Sequence, residues 1–306
     1  MRDVFIRTLT DLAEADRRIF LITGDLGFGV LDKFQARLPG QFLNAGVAEQ
    51  NMTGLATGLA LEGRIVFTYS IANFPILRCL EQIRNDAAYH NANVKVVSIG
   101  GGFSYGPLGM SHHATEDLAI MRALPDVTVV APGDHWETAE ATRAISSRPG
   151  VCYLRLDKSA APRSEKEGEV FTLGKVRIVR EGSDVAFLAT GGILEEAIKA
   201  ADVLSKSGVT STVASVHTVK PLDAETLLRI VGSHRVVITL EEHVLAGGLG
   251  GAVAEVMADA GKFPRHFLRF GVEGSSFVSV VGSQQYLRRG CGLDADSIVR
   301  RVQPLL

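Results

Sequence analysis

Cysteine is scarce in this 306-residue sequence, with Cys79, Cys152 and Cys291 odd in number and far apart. That pattern offers neither a disulfide framework nor the paired spacing of a zinc site. An excess of one charge is also missing. Lys and Arg total 32 against 34 Asp and Glu, a formal net charge of −2, so nothing draws the chain to nucleic acid or an anionic membrane. No apolar run approaches the ~20 residues of a membrane span. The first residues include Arg2, Asp3, Arg7 and Asp11 where a signal peptide would carry an apolar core. A cytoplasmic globular protein is the expectation. The composition, 46% hydrophobic and 22% charged, is ordinary for that class, and the length suffices for two separate cores.

What is present is an α/β rhythm. Arg2 to Ala15 reads as an amphipathic helix with Val4, Phe5, Leu9 and Leu12 inward. Short apolar runs at Ile19–Thr23, Arg64–Tyr69, Val94–Ile99, Val127–Ala131 and Val151–Leu156 read as strands, the β-branched one at Val94 as a buried parallel strand. Helices are expected between them, including Phe74–Tyr89 and Glu137–Ile145. Residues 158–175 are polar and proline-bearing and read as a linker. A second α/β series follows, with strands at Val185–Thr190, Thr210–Val216, Val236–Leu240 and His266–Phe270. Helices are expected there at Leu194–Ser207, Ala224–Val231 and Gly250–Ala260. The expected division is 1–157, a linker at 158–175, and 176–306.

Three stretches carry chemistry. The first is Gly46-Val47-Ala48-Glu49-Gln50-Asn51-Met52, a tight turn that opens a helix whose apolar residues Met52, Leu55, Ala56 and Leu59 share one face. Gly54 and Gly58, four apart, let another element approach that helix. Glu49 reads either as an acid favoured by the helix dipole or as a functional carboxylate. The second is the turn Gly24-Asp25-Leu26-Gly27-Phe28-Gly29 at the carboxyl end of a strand, where open α/β sheets bind ligands; Asp25 either initiates the turn or faces the ligand. The third is the loop Gly100 to Met110, rich in glycine, followed by Ser111-His112-His113-Ala114-Thr115-Glu116-Asp117. Glycine lets backbone come close to a ligand, and histidine hydrogen-bonds or moves protons near neutral pH. Adjacent residues do not face one way on a helix, which argues against a two-histidine metal site.

The Glu49 stretch resembles the glutamate motif of the transketolase family of thiamine-diphosphate enzymes. Tyr69-Ser70, Leu80-Glu81-Gln82-Ile83, the His112 element and the carboxyl-terminal Glu241-Glu242-His243 with Gly247-Gly248-Leu249-Gly250-Gly251 extend the resemblance along nearly the whole chain. It implies a pyrimidine-binding domain, a parallel sheet flanked by helices, followed by a smaller α/β C-terminal domain. It implies that Glu49 hydrogen-bonds the cofactor's aminopyrimidine, with Asp25 near the cofactor. One of Phe67, Tyr69 and Phe74 would stack on the ring, and Arg78, one turn into its helix, faces either the site or solvent. His112, the better match to the family's histidine, and His113 would face a sugar. Arg155 matches an arginine that binds a sugar phosphate by bidentate hydrogen bonds; its alternative is an ion pair with Asp157. The family's aspartate shortly before the histidine is replaced around Leu108, and its earlier histidine is replaced by Gly100, which leaves the identity of the sugar open.

Gly-Asp-Gly with a downstream asparagine, the motif that binds diphosphate through Mg²⁺ in this family, does not occur. Gly24-Asp25 and Gly133-Asp134 lack the second glycine. The reading is therefore the carboxyl-terminal subunit of a split transketolase, moving a two-carbon ketol unit between sugars. Thiamine diphosphate would sit between this chain and an amino-terminal partner subunit carrying Mg²⁺, with self-association into a dimer and a heterotetramer overall. The β subunit of a 2-oxoacid dehydrogenase and a non-catalytic α/β partner are the alternatives; His112, His113 and Arg155 favour sugar chemistry over the first, and Glu49 argues against the second.

Overall fold

The β-branched run Val94–Ile99 lies at the centre of a seven-stranded sheet in the computed structural model, which describes residues 1–306. Six strands of that sheet are parallel: β1 (Ile19–Thr23), β2 (Phe42–Asn44), β3 (Ile65–Ile71), β4 (Val94–Ile99), β5 (Val127–Val130) and β6 (Val151–Leu156). The remaining strands form a second sheet or join the first: β7 (Arg177–Arg180), β8 (Val185–Thr190), β9 (Ser211–Ser215), β10 (Thr218–Lys220) and β11 (Val236–Val244), with β12 (His266–Val272) closing the series. The sheet orders are β10-β5-β6-β4-β3-β1-β2 and β12-β11-β8-β9-β7. No helix is long and apolar enough to cross a membrane.

The β10 strand departs from the expected division. It pairs antiparallel with β5, Thr218 against Val130, and so completes the first sheet from within the second half. Val219 is buried in the same cluster as Val129 and Val127, which is the apolar reward for crossing over. The two halves are thus joined by backbone pairing. Buried ion pairs add to the seam, with Arg177 Nη1 2.9 Å from Asp134 Oδ2 and 3.0 Å from Glu137 Oε1.

Each face of the first sheet has its own core, because successive strand residues point to opposite sides. On one side the helix Glu49–Leu61 packs Met52 and Ala56 against Val66, Val94 and Val96. On the other the helix Arg2–Ala15 packs Phe5 and Leu9 against Phe67, Tyr69 and Val97. Leu55, expected on the buried face of the Glu49 helix, is exposed, and Thr53 and Thr57 are buried in its place. Their hydroxyls donate to Glu49 O and Thr53 O at 3.0 and 2.9 Å, which satisfies them one turn back and lets threonine occupy apolar surroundings. The long helix expected from Phe74 to Tyr89 is broken: Phe74–Leu77 is a single α turn and Gln82–Ala88 is π-helical. Such widened turns recur at functional sites.

Candidate active site at the carboxyl edge of the first sheet

Parallel strands deliver their carboxyl ends to one edge, and the loops after β1, β2, β3, β4 and β6 all emerge there. Glu49 begins its helix at this edge with a side chain only 4% exposed. A buried carboxylate is costly without partners, and Glu49 has one, Arg78, whose Nη1 lies 3.2 Å from Oε2. Arg78 is itself half exposed. The two glycines beside the acid leave room: a Cβ on Gly24 would come within 3.7 Å of Glu49 Cγ and 3.6 Å of Gly46 O. Asp25 follows at φ +56, a left-handed conformation that aspartate tolerates better than most residues. Asn44 Nδ2 donates to its Oδ1 at 2.9 Å, and Asp25 N donates back to Asn44 Oδ1 at 3.1 Å. Asp25 is exposed and fixed beside the Glu49 turn.

From Glu49 a continuous line of contacts runs along the edge. The Arg78 guanidinium stands 4.5 Å from the centre of the Phe74 ring. Phe74 meets His112 edge-on at 5.2 Å, His112 lies 6.3 Å from Tyr105, and Lys158 Nζ sits 3.9 Å over the Tyr105 ring. His113, next to His112, is buried edge-on to Phe103 at 5.1 Å. Its Nε2 is buried without a hydrogen-bond partner. Burial lowers the pKa of both imidazoles, for His113 against a weaker opposing effect of the Gly106 backbone. Both are therefore held toward the neutral form, able to accept as well as donate a hydrogen bond. A groove of about 950 Å³ opens in front of Asn73, Phe74, Arg78, His113 and Thr115, with Phe277 from the second half on its lining.

The structure separates the other expected residues from this line. Phe67 and Tyr69 share the strand parity of the Phe5 core, on the face of the sheet opposite the Glu49 helix, and Phe5 stacks on Tyr69 at 6.3 Å. Of the three aromatics, Phe74 alone stands on the groove. Arg155 is 1% exposed. Its Nε lies 3.5 Å from Asp117 Oδ2 and 3.4 Å from Asp157 Oδ1, and its Nη2 donates to Glu242 O at 2.9 Å. The ion-pair alternative describes it, because both carboxylates are buried with it and need its charge. Lys158, three residues on, is the cation that reaches the edge. It is exposed and has no carboxylate partner. Its signal in the sequence was its place just past a strand that ends beside the glycine loop.

Residues 1–163 match the family model for the transketolase pyrimidine-binding domain, and residues 174–298 match that for the transketolase C-terminal domain. A 6-deoxy-6-sulfo-D-fructose transketolase subunit of a Clostridium species is 38% identical over 98% of this chain and 92% of its own. An apulose-4-phosphate transketolase subunit of Actinobacillus succinogenes is 35% identical over 87% of this chain and 85% of its own. A solved split-gene transketolase, described as an inactive β4 tetramer, superposes with a TM-score of 0.87 at 32% identity, covering 100% of this chain and 97% of that one. With its two domains matched in order and its relatives spanned almost end to end, the chain belongs to the transketolase family, as a carboxyl-terminal section comprising the pyrimidine-binding and C-terminal domains.

Proposed function

We infer that this chain is the carboxyl-terminal subunit of a two-chain transketolase that moves a two-carbon ketol unit between sugars, with thiamine diphosphate held between it and an amino-terminal subunit that carries the Mg²⁺ and diphosphate site. The observation that carries this reading is Glu49: an acid at the ligand edge, buried, with one half-exposed partner and two side-chain-free residues beside it. That donor set fits an aminopyrimidine, whose ring nitrogen can share the proton of a carboxyl group. When bound, the cofactor supplies the electron sink for breaking and making the carbon–carbon bond next to a ketose carbonyl.

The chain's own residues have distinct parts. Glu49 holds and moves a proton at the pyrimidine nitrogen, and Arg78 fixes the carboxylate's orientation. Phe74 offers its ring face at the same edge, and Asp25 rigidifies the adjoining turn. His112 and His113, kept neutral by burial, orient and exchange protons with sugar hydroxyls. Lys158, at the far end of the line, attracts an anionic substituent on the sugar, the part first expected of Arg155. The relatives named for a sulfosugar and a sugar phosphate act on sugars of that charge, which supports an anionic substrate here.

Mixing tests the whole. The chain alone should bind thiamine diphosphate weakly by calorimetry and show no ketol transfer, and addition of the amino-terminal subunit with Mg²⁺ should produce both tight binding and turnover. Turnover by the chain alone, or none in the stoichiometric complex with several phosphorylated and sulfonated ketoses, would overturn the reading.

A further inference from the structure

The loop that carries the two histidines rests on the second half of the molecule. Gly102 and Ala114 form an antiparallel bridge, Gly102 N to Ala114 O at 2.8 Å and Ala114 N to Gly102 O at 2.9 Å. The bridge closes the loop immediately beside His113. The next residue, Phe103, donates its N–H to Glu242 Oε1 and places its ring against the His113 imidazole. Glu242 stands near the end of β11, fully buried. Gln284 Nε2 donates to its two oxygens at 2.9 and 3.2 Å, and Arg288 Nε donates to Oε2. One carboxylate therefore ties one backbone N–H of the histidine loop to two side chains of the second half.

Space around it is filled. Gly102 has φ +58, and a Cβ there would lie 2.5 Å from Glu242 Oε1. A Cβ on Gly101 would lie 2.0 Å from Arg155 Nε and 2.2 Å from Asp157 Oδ1. The loop's glycines are thus explained by contact with a charged seam as much as by approach to a ligand. The residues after Glu242 grip the same segment further on: Ala119 N donates to His243 Nε2 at 3.2 Å, and Val244 N to Thr115 O at 2.8 Å. Three consecutive residues of β11 fix the chain on both sides of the histidines.

We propose that Glu242 is a positioning residue for the sugar-binding histidines, so that the C-terminal domain takes part in the reaction by setting where His113 stands. This rests on the reading of those histidines as sugar-facing. Glu242 touches neither cofactor nor substrate; it acts through Phe103 and the Gly102–Ala114 bridge. The carboxylate is required because both oxygens accept, one from the loop and the other from Arg288. An amide in its place presents a donor to one of those N–H groups.

The test is Glu242→Gln in the complete complex of both subunits with thiamine diphosphate and Mg²⁺, alongside His113→Ala and the double variant. A displacement of about an ångström costs on the order of 10²-fold, so kcat/KM for the acceptor sugar should fall about 10–100-fold in Glu242→Gln, mainly through KM. Cofactor affinity and C2 proton exchange, which depend on Glu49, should stay within about threefold of wild type by the same reasoning. The double variant should be no worse than the poorer single one, because both changes remove the same placement. Imidazole signals of His113 in ¹³C-labelled chain should shift in Glu242→Gln while those of the exposed His90 stay fixed. Additive losses in the double variant, or an unmoved His113 signal, overturn the proposal. If Glu242→Gln does not fold, Gln284→Ala, which removes one donor and leaves the carboxylate, should give the same pattern at a smaller amplitude; wild-type KM in that variant overturns it too. His113→Ala with wild-type kinetics would instead overturn the sugar-facing role of the histidines themselves.

Discussion

Two clusters of charged and imidazole groups lie one loop apart and behave oppositely. Along the carboxyl edge of the first sheet, Glu49, Arg78, His112 and Lys158 are thinly partnered: one ion pair, two contacts through aromatic rings, and an imidazole bonded to its neighbour's hydroxyl. In the seam behind it, Arg155, Asp117, Asp157, Glu241, Glu242 and Arg288 are buried; Asp117 is held within its own half by Tyr153 and Arg155, and the others take partners from the opposite half or from backbone. Glu49 and Glu241 make the contrast sharpest, since both are buried acids beside a helix start. Glu241 accepts the N–H groups of Leu249 and Gly250 at 2.6 and 2.8 Å. Glu49 accepts none of its helix's N–H groups. The lesson is that burial of a charge does not mark a site; burial at the ligand edge, with a half-exposed side chain as the one partner, does.

Breaking the seam should cost the most. Arg155→Ala leaves Asp117 and Asp157 buried without their shared cation, and removal of one partner from such a cluster costs about 3–5 kcal/mol. Urea unfolding should show that loss. A stability change under about 1 kcal/mol together with a raised KM for anionic sugars would return Arg155 to the substrate site.

The pH dependence of stability should carry the mark of Glu241. Burial pushes its carboxyl group up to about 7, against two N–H groups that pull the other way, from an ordinary 4.5. A pKa raised on folding means the native state holds the proton longer. The stabilising contribution is full below about 4.5 and lost as pH rises through about 7. The interval sets a ceiling of roughly 3 kcal/mol at 1.36 kcal/mol per pH unit. Glu241→Gln cannot lose that proton, so the difference between wild type and variant should move in the variant's favour between pH 4.5 and 7. A difference that is flat across that range rules the carboxyl group out as its source.

The acid at the sheet edge should show the reverse profile. Glu49→Gln keeps shape and one hydrogen bond but cannot relay a proton, so kcat should fall about 10² or more, with stability and subunit pairing nearly unchanged. The loss belongs to kcat because a step after binding is impaired. Proton exchange at C2 of thiamine diphosphate in the reconstituted complex, followed by NMR in deuterated buffer, isolates that step; a wild-type exchange rate would leave Glu49 a helix-start acid and nothing more.

The sequence disclosed the architecture far better than the partners. Strand after strand of the parallel core was legible because a buried parallel strand is a continuous β-branched run, and Val94–Ile99 and Val185–Thr190 match residue for residue. β10 was not, since Thr218–Lys220 is three residues whose identity as a strand depends on a neighbour almost ninety positions earlier, Val130. At the site, Glu49 and the histidine loop were visible through their local motifs. Strand parity could have removed Phe67 and Tyr69: Val66 and Thr68 alternate with them, and Phe5 supplies the apolar partner on their side. Arg155 was misplaced for a different reason. Nothing in Leu154-Arg155-Leu156-Asp157 tells whether a strand-end guanidinium points to solvent or into a seam that the second domain builds.

Lys158 supplies the finest test of the contrast, because it differs from Arg155 in surroundings more than in charge. It is exposed, has no carboxylate within reach, and rests on Tyr105 by a contact of the kind worth about 0.5–1 kcal/mol at an open site. Partial desolvation where its stem lies against the protein, and beyond it the nearby Arg2, lower its pKa, so an arriving anion would relieve the repulsion between two cations. Removing it should barely touch folding: Lys158→Ala should stay within about 0.5 kcal/mol of wild type, the ordinary range for surface substitutions. Its effect should fall on substrates according to their charge. For a phosphorylated or sulfonated ketose, KM should rise about tenfold, the lower end of what a charge-assisted hydrogen bond contributes once solvent screening is allowed for. For the same sugar without the anionic group, KM should not change, and the tenfold effect should shrink as salt is raised. Lys158→Arg should restore most of the loss, since an open edge accepts either cation. Equal losses for charged and neutral sugars would mean that Lys158 serves only to hold Tyr105 against His112, and the line of contacts would end at the histidine.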